Sequence, residues 1–149
     1  MSKQAQADLI LKLYELRREE TMRIARSWYF EKFNPTSLAD FNAYMFGEHG
    51  GHLRMVMSYW DMAAALVNHG AIDIELFNDT NGEHLGVFSK LEPFLPELRA
   101  AYSPQFAVNL EKLIDTTPGG RESLAMMRER IKAIMAQMAE NQSKAATQS

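Results

Sequence analysis

The chain has 149 residues, a formal net charge of −3 at pH 7 and no cysteine. Its weak acidity argues against a general nucleic-acid binder, and without cysteine it has no disulfide, thiolate nucleophile or cysteine-ligated metal. The length fits one helical domain over residues 1–149, with an ordered core from about residue 5 to about residue 140 and a frayed tail over 141–149.

The first residues, MSKQAQAD, are polar and lack the apolar centre of a signal peptide. No run of about 18 apolar residues is present, so we expect no membrane span. The absence of cysteine favours a reducing compartment. We therefore expect a cytoplasmic protein without a nucleic-acid partner.

The first predicted helix is long. Residues 4–33 are rich in helix formers and contain neither glycine nor proline. Glu20 interrupts the apolar stripe of this helix between Leu16 and Ile24. Asn34-Pro35 ends it, because the residue before a proline disfavours helical geometry.

A short aromatic helix follows, capped by Ser37 with Asp40 three residues later, and it ends at Gly47. The sequence GEHGGH (47–52) then predicts a flexible connection. The helix after it, about residues 53–69, is apolar over most of its circumference, which is typical of a helix with neighbours on several sides. It should be the central helix, and Gly70 suits the left-handed position after its end.

Further helices are predicted from caps and breaks in the second half of the chain. Asp73 caps a brief turn, and Thr80 with Glu83 has the spacing of a capping box. Pro93 breaks the helix that follows, and Ser103-Pro104 starts another. The closing helix carries an apolar stripe of Leu124, Met127, Ile131, Ile134, Met135 and Met138.

No alternating apolar and polar run predicts a strand. The expected fold class is therefore all-α, a compact bundle of six or seven helices around the buried helix at about residues 53–69.

Three charged positions fall where the surrounding pattern demands burial. They are Glu20 on the first helix and Arg54 and Asp61 on the polar strip of the central helix. A buried charge needs a partner, so we expect Glu20 to contact Arg54 or another arginine, and Asp61 to contact Arg54 or a group such as Arg17. This buried polar cluster of Glu20, Arg54 and Asp61 either fixes helix register, which is the favoured interpretation, or serves a ligand pocket.

Two further groups are weaker candidates. Glu48, His49 and His52 offer oxygen and nitrogen ligands for a divalent metal, but their spacing matches no established zinc signature, and a solvated loop is the favoured alternative. The methionines Met127, Met135 and Met138 are first a core signal, although an adaptable stripe on a terminal helix also suits an interface across a dimer. No cofactor is expected.

The segments LYELRREETMRIARSW and SYWDMAAALVNHGAIDIELF, followed by NGE, resemble a family of uncharacterised bacterial helical domains of unknown function. The resemblance covers about residues 8–115 and lies in the Trp60-Asp61 centre, the Asn68-His69-Gly70 stop and the turn from Phe77 to Glu83. It implies a helical fold and no transferable activity. Some similar proteins carry an N-terminal membrane segment, whereas this sequence starts almost directly at the first helix.

The chain contains no nucleophile elbow, phosphate-binding loop, zinc-protease motif or dinucleotide fingerprint, so no catalytic residue is assigned. We expect a protein-interaction or homo-oligomerising module, with a homodimer as one form. The alternative is a small-molecule or metal-binding helical bundle, with an enzyme among the options. An apolar cavity opening onto Asp61 would favour the alternative, and an exposed methionine and phenylalanine patch would favour the module.

Overall fold

The computed structural model describes residues 2–148 and places them in nine α-helices and one 3-10 turn. The all-α class predicted from the sequence is confirmed. The helices are α1 (Lys3–Arg18), α2 (Glu20–Glu31), α3 (Leu38–Met45), α4 (Gly50–Asn68), α5 (Ile74–Thr80), α6 (Glu83–Leu91), α7 (Leu95–Ala101), α8 (Val108–Thr116) and α9 (Gly120–Gln148). The 3-10 turn Glu92–Phe94 joins α6 to α7.

Helix α4 is the central element, as its apolar circumference predicted. It packs against α2, α3, α5, α6 and α8. Its side chains at Leu53, Val56 and Trp60 are fully buried. Gly70 follows the helix end in the left-handed region at φ 82°, a conformation that glycine adopts without a Cβ clash.

The predicted first helix is two helices, and the brief turn predicted after Asp73 is the seven-residue helix α5. Residues 2–148 therefore form nine α-helices where six or seven were expected. The break lies at Glu19, whose backbone is extended (φ −58°, ψ 143°). Its carboxylate accepts hydrogen bonds from the backbone N–H groups of Thr21 and Met22, so it caps α2. A side-chain cap can start a new helix without glycine or proline, which is why composition alone did not reveal the break.

The glycine-rich connection is shorter than predicted, because α4 already begins at Gly50 and includes His52. A Cβ at Gly50 would lie 2.0 Å from the carbonyl oxygen of Met45, so only glycine fits this close approach of α3 and α4.

Helix α9 is the longest element, with 29 residues. Its first part packs against α6 and α8. At Gly86, where α6 faces α9, a larger side chain would crowd its neighbours. A Cβ at this position would lie 2.9 Å from the Phe30 ring and 3.7 Å from Ile131 of α9. The helix continues through Gln148, across the segment expected to fray, because residues 121–148 contain neither glycine nor proline. Met1 and Ser149, which belong to the predicted domain and tail, lie outside the described residues.

Candidate functional site

The carboxylate of Glu83 lies where α2, α4 and α6 meet, and both of its oxygens accept hydrogen bonds. Arg26 of α2 donates from Nε and Nη2, with N···O distances of 2.8–3.1 Å. The indole Nε1 of Trp60 on α4 donates to the second oxygen at 3.1 Å. Trp60 is fully buried, and the Arg26 and Glu83 side chains are 25% and 21% exposed. Glu83 therefore joins α2, α4 and α6 by charge-assisted hydrogen bonds.

Arg17 extends this arrangement to α1. Its Nη1 donates to Asn81 Oδ1 at 3.0 Å, and its guanidinium lies 5.5 Å from the centre of the Trp60 ring. Arg26 Nη1 in turn donates to the backbone carbonyl of Arg17 at 3.2 Å. We call Arg17, Arg26, Trp60, Asn81 and Glu83 the Glu83 network. Because both carboxylate oxygens accept hydrogen bonds from other helices, the network ties α1, α2, α4 and α6 together.

Sequence reasoning missed this network because each member had a local explanation. Glu83 has the spacing of a capping-box acid, and Arg17 and Arg26 stand among exposed charges. The capping box does not form: the Thr80 hydroxyl donates to the carbonyls of Leu76 and Phe77, and α6 has no side-chain cap. One residue of the network could have been recognised from the sequence. Trp60 was predicted to be buried, and the N–H of a buried indole needs a hydrogen-bond acceptor.

Glu20 does not join Arg54 or Asp61. It is exposed in the first turn of α2, beside Arg23, Ile24 and Ser27. The expected burial is wrong at this position because the break at Glu19 separates the two helices. The stripe that Glu20 interrupts is itself exposed, with Leu16 41% and Ile24 53% accessible.

Asp61 and Arg54 lie on one face of α4 but have different surroundings. The Asp61 carboxylate accepts from the backbone N–H of Leu110 at 3.0 Å and from Asn109 Nδ2 at 3.1 Å. It therefore caps the first turn of α8, where Ala107 precedes the helix without a side-chain cap. Arg54 is exposed, and no carboxylate of residues 2–148 forms an ion pair with it, so the expected contacts with Glu20 and Asp61 are not made.

An apolar groove opens next to these two residues. It has a volume of about 430 Å³, within the usual range of small-molecule sites. We call it the α4–α8 groove; it is lined by Met45, Arg54, Met57, Ser58, Asp61, Leu91, Tyr102, Ser103, Gln105, Phe106, Ala107 and Leu110. Ala107 is the one non-glycine residue of residues 2–148 with a positive φ, 53°. An apolar groove therefore opens onto Asp61, at the position considered in the sequence analysis.

The proposed metal ligands Glu48, His49 and His52 are used differently. The ring of His49 stacks on Trp28 with centroids 5.2 Å apart, and His52 meets the same ring edge-on at 6.3 Å. Glu48 is exposed. Across residues 2–148 no three histidine or acidic side chains are grouped to hold a metal ion. The imidazoles pack as aromatic rings because α4 starts earlier than expected and carries His52 towards α2.

Two titratable groups on α6, His84 and Lys90, are removed from solvent, His84 almost fully and Lys90 in part. His84 is 2% exposed between the rings of Trp60 and Phe77, and burial lowers its pKa to about 4. Lys90 donates to Tyr29 O in the last turn of α2 and to Phe33 O just after the helix, each at 2.8 Å. Burial lowers the pKa of Lys90 to about 8. Both groups hold α6 in place, and Lys90 satisfies the C-terminus of α2.

The methionines predicted at an interface lie along α9. Met127 and Met135 are half-buried and Met138 is 40% exposed. From Lys132 to Gln148 every side chain except Met135 is exposed. The exposed large apolar side chains in this part of α9 are Ile134 and Met138, and neither lines the α4–α8 groove.

The start of α9 is fixed by an ion-pair network on the body. Arg121 binds Asp115 and Glu92, each at 2.6 Å, and Glu111 at 3.3 Å. Arg128 binds the other oxygen of Glu92 at 2.6 Å. The pKa of Asp115 is lowered, chiefly by its hydrogen bond from Arg121. A network with shared partners fixes the direction of the helix better than isolated surface pairs do.

Within residues 2–148 no helix is both long and apolar enough to cross a membrane. A family model described as Domain of unknown function (DUF4760) matches residues 3–117, and the chain therefore belongs to this family. No curated protein and no solved structure matches the chain. The matched residues run from α1 through α8, so α9 lies outside them.

Proposed function

We propose that this chain is a helical module that self-associates through the second half of α9, which follows the residues matched to the DUF4760 family. The observation that carries the proposal is the continuation of the apolar stripe of α9 beyond the body of the domain. There it has no partner within the monomer.

The stripe has the spacing of a coiled-coil seam. Leu124, Met127, Ile131, Ile134 and Met138 alternate at intervals of three and four residues. The first positions use this seam against the body: Leu124 is 2% exposed, and Ile131 packs at Gly86. Ile134 is 51% exposed and Met138 is 40% exposed. The seam is therefore packed against the core near the start of α9, and it is exposed to solvent at Ile134 and Met138.

The uncovered segment is also unusually poor in charge. Residues 133–139, AIMAQMA, contain no ionisable side chain. An isolated helix in water is marginally stable, and exposed helices are usually polar around most of their circumference. A partner that covers Ile134 and Met138 would stabilise this part of α9 by removing apolar area from water.

A second copy of the chain fits this surface. An uncharged stripe requires no complementary charge from its partner. An identical stripe related by a two-fold axis can therefore cover it, with residue i of each copy contacting residue j of the other. The helix is held at its base by Arg121 and Arg128, so its free half projects roughly 25 Å in a fixed direction. Such preorganisation lowers the cost of association.

The test is sedimentation equilibrium of the full chain over a concentration series, with native mass spectrometry as a second readout. We expect a concentration-dependent dimer. Met138→Lys places a charge in the seam and should weaken association at least about tenfold, because a desolvated unpaired charge is costly.

Met126→Lys is the matched control. Met126 lies on the same helix and is 64% exposed, but it stands outside the three-and-four spacing. It should leave the dimer unchanged. A chain that stays monomeric at high concentration, or a dimer that both variants weaken equally, would refute self-association through this seam.

A further inference from the structure

We propose that the α4–α8 groove binds a single-chain anionic amphiphile, a carboxylate with an unbranched hydrocarbon tail, with Arg54 as the binding site for the carboxylate. The inference is independent of self-association, because no residue of the α9 seam lines the groove.

The groove has an apolar floor suited to a hydrocarbon tail. Leu91 and Leu110 are fully buried, Met45 is 9% exposed, and Met57 and Phe106 are half-buried along its length. Methionine side chains adapt to irregular apolar ligands, because they are unbranched and rotate about three bonds. The residues of the floor therefore offer dispersion contacts without demanding one ligand shape.

The charged residues at the groove indicate that its ligand is negatively charged. Asp61 has donors on both carboxylate oxygens, from Leu110 N and Asn109 Nδ2, so its charge is compensated by the start of α8. Within residues 2–148 the only hydrogen-bond contact of Arg54 is with the thioether of Met45, with 3.8 Å between Nη1 and Sδ. Its guanidinium also lies next to Gly50, where a Cβ would be 3.3 Å from Nη1. A guanidinium without an anion, next to an apolar groove, matches a carboxylate that can accept two parallel hydrogen bonds.

The same charges argue against the α9 seam of a second copy as the occupant. Residues 133–139 carry no acid, so this segment would cover the groove and leave Arg54 without an anion. The groove volume of about 430 Å³ also lies in the range of small-molecule sites. A small amphiphile satisfies both the apolar floor and the single cation.

The experiment uses the full chain labelled with 13C at its methionine methyl groups, titrated with decanoate below its critical micelle concentration. The methyl signals of Met45 and Met57 should shift and saturate, while those of Met126 and Met138 on α9 serve as internal references. Decan-1-ol and decyltrimethylammonium carry the same tail with no charge and with positive charge. We expect decanoate to bind about tenfold tighter than decan-1-ol and the cation to bind more weakly than either.

The Arg54→Gln variant should abolish the preference for decanoate over decan-1-ol while leaving the binding of the alcohol unchanged. Arg18→Gln, an exposed arginine on α1, is the matched control and should change neither. The titration is repeated with the Met138→Lys variant, in which self-association should be weakened. Unchanged decanoate binding there shows that the groove binds its ligand independently of self-association. Equal affinities for decanoate and decan-1-ol would overturn the assignment, as would shifts confined to the α9 methionines or a preference that persists in Arg54→Gln.

Discussion

Replacing Glu83 with alanine should destabilise the protein strongly, although Glu83 lies on a short helix and is partly exposed. The substitution leaves the buried Trp60 N–H without an acceptor, which costs about 1–3 kcal/mol. It also leaves the Arg26 guanidinium, 25% exposed, without its carboxylate. Removing one partner of a largely buried pair costs about 3–5 kcal/mol, a figure that partial solvent access reduces. We expect a total loss of about 3–5 kcal/mol.

Urea denaturation followed by circular dichroism measures this loss, and the melting temperature should fall by roughly 6–20 °C. Glu83→Gln keeps an acceptor for the indole and should cost less, about 1–2 kcal/mol. Glu48→Ala, at an exposed carboxylate, is the control and should stay within about 0.5 kcal/mol of the parent. A Glu83→Ala protein as stable as this control would refute the assigned role of the network.

Two further predictions concern His84 and Asp61. The pKa of His84 is lowered by burial to about 4, so between pH 6.5 and 4 the unfolded state binds more protons and stability falls as the pH falls. His84→Phe should flatten this part of the curve of unfolding free energy against pH. His69→Gln, at an exposed histidine, should leave the curve unchanged. Parallel curves for the parent and His84→Phe would contradict the argument. Asp61→Ala removes the cap of α8 and should lower the unfolding free energy by about 0.5–2 kcal/mol. Ser58→Ala, one turn away on α4, should have little effect. An unchanged melting temperature for Asp61→Ala would show that the cap adds no stability.

The secondary structure was largely readable from local signals. Ser37 accepts a hydrogen bond from Asp40 N, Asp73 accepts one from Leu76 N, and Gly70 has its expected positive φ. These residues act within one turn of the chain, where spacing and side-chain type decide the geometry. The break at Glu19 was not predicted because glutamate is a good helix former. Its presence therefore does not show whether it lies inside a helix or caps the start of one.

The candidate sites were less predictable because they depend on distant partners. Asp61 was expected beside an arginine and instead caps α8, while Arg54 forms no ion pair with a carboxylate of residues 2–148. His49 and His52 were considered as metal ligands and instead pack on Trp28. In each case the sequence marked a polar residue that needed a partner, and the choice among several partners rested on how the helices pack.

The sequence by itself determined the all-α class, the central position of α4 and the apolar seam of α9, because these follow from residue spacing along one helix. Only the tertiary structure decided that Glu83 binds Arg26 and Trp60, that Arg54 stands at an apolar groove, and that the α9 seam is buried at Leu124 and uncovered at Ile134. The physical reason is that hydrogen bonds and burial between helices depend on relative positions in space, and periodicity within a helix does not encode them.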